Sequence, residues 1–109
     1  MRDLVLAVEE NMKHLKGAIN ARYKISIKRA KAEYEYRSAL GTAMAEMKAD
    51  GMAATALYEY CRGIERIAKL RDIRDVYVAQ EEYLTQMIYY YKTEVRIAEG
   101  QMDAERKGV

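Results

Sequence analysis

The sequence has no proline, tryptophan or phenylalanine, and only one cysteine and one histidine. Without proline nothing forces a helix to break, and glycine, the next strongest breaker, stands only at positions 17, 41, 51, 63, 100 and 108. The lone Cys61 cannot close an internal disulfide or complete a Cys-x-x-Cys metal or redox motif, which fits a reducing compartment. No apolar run approaches the roughly 18 residues of a membrane span. The opening stretch through Val8 carries Arg2 and Asp3 beside too short an apolar run for a secretory signal. A cytoplasmic protein is expected.

What is present favours helix. Ala, Glu, Lys, Arg, Met and Leu dominate, Tyr occurs 10 times and Met 7, and the length of 109 residues suits a single domain. Apolar residues recur at steps of three and four from Asp3 to Ala49. Val8, Met12, Leu15, Ile19, Tyr23, Ile27, Ala30 and Tyr34 form one stripe; Ile25, Ala32, Tyr36, Leu40, Ala43 and Met47 form a second on another side. Gly51 is placed to end this helix of about 3–49 in the left-handed conformation. A short elbow helix over about 53–62 follows, closed by Gly63. A second long helix over about 64–100 carries Ile67, Leu70, Tyr77, Leu84, Ile88, Tyr91, Val95 and Ala98, flanked by Ile73, Val76, Tyr83, Met87, Tyr90 and Ile97. Beyond Gly100 the chain is polar and expected to fray.

The pattern predicts an all-α fold, a long antiparallel helical hairpin with a short elbow helix. Two helices of such length span on the order of 65 Å each, and their apolar faces are broader than one hairpin contact needs. Dimerisation into a four-helix bundle, or a higher homo-oligomer, is the expected remedy. The small residues Ser38, Ala39, Gly41, Thr42, Ala43 and Ala45 are expected to lie under the elbow helix, with its Ala53, Ala54, Ala56 and Leu57.

A search for chemistry finds little. His14 has Glu10 four residues earlier, but a carboxylate-bridged metal site needs Glu-x-x-His pairs from two helices, so a surface pair is expected. Cys61 reads as a buried small residue, because the only histidine lies on another helix. Glu81 and Glu82 point about 100° apart on a helix and are read as solvated, not as a catalytic pair. No phosphate loop, nucleophile elbow or zinc motif occurs. No enzyme activity, cofactor or metal is expected.

The charge distribution is uneven. Lys13, Lys16, Arg22, Lys24, Lys28, Arg29 and Lys31 fall between Asn11 and Ala32 with no acidic residue among them, whereas the second long helix carries Asp72, Asp75, Glu81, Glu82, Glu94, Glu99, Asp103 and Glu105. The basic segment is read either as a surface for phosphates or an acidic protein, or as the complement of the chain's own acidic helix. Most tyrosines are read as core, with Tyr89 of the Tyr89-Tyr90-Tyr91 run exposed and available to a partner.

Ala-Lys-Ala-Glu-Tyr-Glu-Tyr-Arg-Ser-Ala-Leu at 30–40, the Gly51 elbow with Ala54-Thr55, and Gly63-Ile-Glu-Arg-Ile-Ala-Lys-Leu-Arg-Asp-Ile-Arg-Asp through 75 resemble short all-helical proteins of temperate phages of Gram-positive bacteria. In that group a proline often opens the elbow helix; here Met52-Ala53-Ala54 stands in its place. The resemblance implies action in the host cytoplasm. It points to a protein-binding inhibitor of a host defence nuclease complex, as anti-CRISPR proteins are, or to a DNA-handling accessory of phage recombination or replication. A purely structural, self-associating bundle is the third reading.

Overall fold

The computed structural model describes residues 2–108. Among these it contains three helices and no strand: α1 (Arg2–Ala49), α2 (Ala54–Arg62) and α3 (Glu65–Arg106). Asp3 in the first turn of α1 and Lys48 in its last complement the helix dipole. The end of α1 is built as a Schellman motif. The Met52 amide donates to the Met47 carbonyl at 3.0 Å, the Gly51 amide donates to the Lys48 carbonyl at 3.1 Å, and Gly51 takes φ +95°.

Gly63 ends α2 differently, with φ −82° and its amide 3.1 Å from the Tyr60 carbonyl. That conformation is open to any residue, so the requirement for glycine at the elbow falls on Gly51 alone. Gly51→Ala is expected to lower stability by about 1–2 kcal/mol, the cost of a left-handed L-residue. Gly63→Ala should stay within about 0.5 kcal/mol, since an added Cβ meets only Tyr60 O at 3.5 Å and Glu59 O at 3.7 Å. Urea denaturation of the two variants checks both values.

Two compact units can be distinguished, each a packed set of helical segments. One runs from Ile25 to Gln80 and contains the elbow; the other joins the chain up to Lys24 with the chain from Glu81 onward. In the elbow unit Tyr36, Leu40 and Ala43 of α1, Cys61 of α2 and Ile67 of α3 form the buried cluster, with Ala39, Met44, Met47, Ile64 and Leu70 against it. Cys61 and Ile67 are fully enclosed. In the other unit Leu15 and Ala18 of α1 and Val95 and Ala98 of α3 are buried.

Along α1 one line of buried and half-buried positions runs in steps of four and three: Leu4, Val8, Asn11, Leu15, Ala18 and Arg22 in one unit, and Ile25, Arg29, Ala32, Tyr36, Ala39 and Ala43 in the other, with further inward residues such as Leu40, Met44 and Met47 beside it. This is coiled-coil spacing. The second apolar stripe named above, Ile25 to Met47, therefore faces inward. Most of the first stripe does not: Met12, Ile19, Tyr23, Ile27, Ala30 and Tyr34 are exposed, and only Leu15 among its members is buried.

Three expectations need correction. The small-residue patch is mostly uncovered: Ser38, Gly41, Thr42, Ala45, Ala53, Ala54 and Ala56 are exposed, and only Ala43 and Leu57 are buried. A nine-residue helix covers only what its Leu57 and Cys61 edge reaches. The last helix does not stop near Gly100 but continues to Arg106, with an Arg106 to Asp103 ion pair at 2.9 Å in its final turn. Finally, six tyrosines besides Tyr89 (23, 34, 58, 60, 83 and 90) are exposed, not core, because each helix of a hairpin has one neighbour and rings outside that contact stay in water.

Candidate interaction surfaces

The basic segment of α1 is sorted by residue type. In the unit that holds residues 2–24, Arg22 is half-buried and its Nε donates to Thr85 Oγ1 at 2.8 Å, while the Thr85 hydroxyl donates to the Glu81 carbonyl at 2.9 Å. In the elbow unit Arg29 is also half-buried and engaged. Both arginines occupy inward seam positions, where a planar fork of donors can be held by a neighbouring helix. The lysines do the opposite. Lys13, Lys16 and Lys24 in the first unit and Lys28 and Lys31 in the elbow unit are all exposed, and none takes part in the ion pairs found among the described residues. Of the seven basic residues marked by the sequence, five form outward charge and two are half-buried and engaged. Glu81 is half-buried and engaged, whereas Glu82 is exposed.

Tyr89 is 73% exposed, as expected, but it is one of several. Tyr83 and Tyr90 are also exposed on α3, and Tyr23 (67%) and Tyr34 (73%) stand out from α1 beside its lysines.

His14 and Glu10 form a surface pair, with Nε2 to Oε1 at 3.2 Å, and the imidazole stacks on Tyr91 with ring centroids 5.3 Å apart. A shallow groove of about 520 Å³ opens there, between His14 and Gly17 of α1 and Tyr83, Met87 and Tyr91 of α3. Gly17 leaves the space open, as beyond its chain neighbours and the local helix backbone no atom lies within 4 Å of where its Cβ would be. No group of three metal-ligating side chains comes together among the described residues, and no helix is long and apolar enough to cross a membrane.

The elbow unit carries the polar cluster that sequence reading missed. Arg74 of α3 lies with its guanidinium carbon 4.7 Å from the Tyr36 ring centroid and pairs with Glu33 at 3.2 Å and Asp75 at 2.9 Å. Glu33 also accepts from Arg37 at 2.6 Å. The bond from Arg37, and then Arg74, holds the Glu33 carboxyl below its ordinary pKa despite the opposing effect of burial. A Glu–Arg spacing of four marks the local half of this cluster; its other half joins residues 41 positions apart and has no local signature.

Set against models of known protein families, curated proteins and solved structures, the chain matches none.

Proposed function

We propose that the chain is a non-catalytic binding protein that inhibits a nucleic-acid-loaded nuclease complex, of the host-defence kind to which its resemblance to phage proteins points. The observation that carries this reading is the outward lysine surface of α1, unneutralised while the arginines of the same segment are engaged. Mobile ammonium groups on exposed stems attract phosphates without demanding a fixed geometry. A nuclease's own nucleic-acid channel is basic and repels such a surface. The lysines instead suit the phosphates of a bound guide or substrate strand, so the loaded complex is the target and the empty protein is not.

The test uses a purified defence nuclease complex, loaded and unloaded, with the wild-type chain and with Lys24→Glu/Lys28→Glu/Lys31→Glu. The wild type should bind the loaded form and slow cleavage at least about tenfold. The triple variant should lose about tenfold or more in affinity, the order expected for removing several phosphate contacts at moderate salt. Equal binding to loaded and unloaded forms, or an unchanged triple variant, defeats the reading.

Tyr23 and Tyr34 favour a second one. Exposed rings beside lysines offer stacking platforms for unpaired bases, as in single-strand binding proteins. If naked single-stranded DNA binds at about 50 mM salt as tightly as the loaded complex, the chain is an accessory of DNA handling.

A further inference from the structure

The unit that joins residues 2–24 of α1 to the chain from Glu81 carries two uncovered apolar stripes, both with coiled-coil spacing. On α1 the positions Val5, Glu9, Met12, Lys16, Ile19 and Tyr23 follow one another in steps of four and three, and all are exposed. On α3 the sequence Tyr83, Met87, Tyr90, Glu94 and Ile97 does the same. Tyr83, Tyr90 and Ile97 are exposed; Met87 and Glu94 are half-buried. Such spacing lays one side chain per turn along a line, which is what a partner helix reads.

The two stripes lie on opposite flanks of this helix pair. Tyr83 and Met87 border the groove beside His14 and Gly17 of α1. Met12 and Ile19 lie off that groove and line, with Glu9 and Lys16, a depression on the other side of α1. A closed bundle of two hairpins needs both stripes on one flank, because each helix must face the same second hairpin. Opposite flanks give a heterologous contact instead.

We infer that the stripe of α1 in one copy docks on the stripe of α3 in the next, so that the chain assembles head to tail. Charge selects this pairing. Each stripe has a charged residue near its middle, Lys16 on α1 and Glu94 on α3. Two α3 stripes bring glutamate to glutamate; two α1 stripes set lysine on lysine when parallel and in register, and when antiparallel they match Lys16 to Glu9 only in a register that carries Tyr23 past the end of the stripe, opposite Arg2. Charge also selects the direction. With Lys16 opposite Glu94 and the helices antiparallel, Met12 meets Ile97, Ile19 meets Tyr90, Tyr23 meets Met87, and Glu9 meets Gln101. The parallel arrangement would set the Glu9 carboxylate against Met87 and Tyr23 against Gln101. Each added copy leaves one α1 stripe and one α3 stripe free at the ends, so growth continues until a ring closes.

The experiment is light scattering and sedimentation at about 1–100 µM, a range set by ordinary protein–protein affinities. It uses the full chain, a variant with the α1 stripe disabled (Met12→Gln/Ile19→Gln), and one with the α3 stripe disabled (Tyr90→Gln/Ile97→Gln). The wild type should form species larger than a dimer, with mass rising with concentration or stopping at a ring. Each variant alone should be monomeric, and an equimolar mixture should give a species of two chains, one intact stripe from each. All four positions are exposed, so the hairpin should keep its helicity by circular dichroism. Lys16→Glu and Glu94→Lys should each weaken association about tenfold or more, and the chain carrying both should regain it. A monomeric wild type at 100 µM, a wild-type mass fixed at two chains, or a mixture that stays monomeric overturns the inference. None of these outcomes bears on the outward Lys24, Lys28 and Lys31 tested above.

Discussion

Replacing Tyr36 with alanine should cost about 3–5 kcal/mol, the range for deleting a buried aromatic ring, and lower the melting temperature by roughly 10–20 °C. Three contributions meet on this one side chain. The ring is nearly inaccessible and packs in the cluster of Leu40, Ala43, Cys61 and Ile67. Its face carries the Arg74 guanidinium, 4.7 Å from the centroid, and a partly desolvated cation–π contact adds to the buried area. Its hydroxyl faces Arg62 and favours the charged guanidinium, raising that group's pKa above its ordinary value. Tyr36→Phe keeps the first two and removes only the third, so it should cost much less than Tyr36→Ala. Denaturant unfolding of both variants measures the split. If Tyr36→Ala and Tyr36→Phe were equally damaging, the hydroxyl would be the main contributor and the account of this core would be wrong.

How far the fold could be read from the sequence depended on whether a decision was local. Gly51 was legible because a Schellman motif is made by residues within six of one another, and the hydrogen bonds from Met52 to Met47 and from Gly51 to Lys48 are those it requires. On α3 the inward stripe from Ile67 to Ala98 was also legible, since each of its members is buried or half-buried. α1 was harder. Both of its stripes are apolar at helical spacing, and only the arrival of Cys61 and Ile67 against Tyr36 and Leu40 decides which turns inward. Gly100 misled for a simpler reason. One glycine costs about 1 kcal/mol in a helix, which good helix formers on either side and the Asp103 to Arg106 pair suffice to offset.

The candidate surface was half legible. The charge run from Lys13 to Lys31 was plain, but charge alone treats Arg22 and Arg29 as equal to the five lysines. They fall in step with Ala18, Ile25 and Ala32, so their seam positions were present in the spacing and hidden by their polarity. The Arg74 contacts to Tyr36 and Glu33 were not readable at all, because they depend on the register with which α3 returns along α1.

Ile67→Ala is the second substitution with a large expected effect, and it separates global from local loss of structure. Among the described residues Ile67 and Cys61 are the side chains fully enclosed, and Cys61 sits on a helix of nine residues. So short a helix has little stability of its own in water and persists through what it packs on. Its inward edge is Leu57 and Cys61, the only residues of α2 that are buried. Truncating Ile67 leaves a cavity beside Cys61 and should cost about 2–5 kcal/mol. Much of that cost should be relieved by the elbow opening while the long helices remain paired. The buried thiol reports it directly. Cys61 reacts with a thiol reagent only when α2 lifts, so its labelling rate under native conditions should rise by roughly 30- to 5,000-fold, the same free energy expressed as an opening constant. Far-ultraviolet helicity should change little at 25 °C. If Cys61 labelled no faster in the variant, or if labelling rose only together with complete loss of helicity, the elbow would not be a separately opening element and α2 would melt only with the whole hairpin.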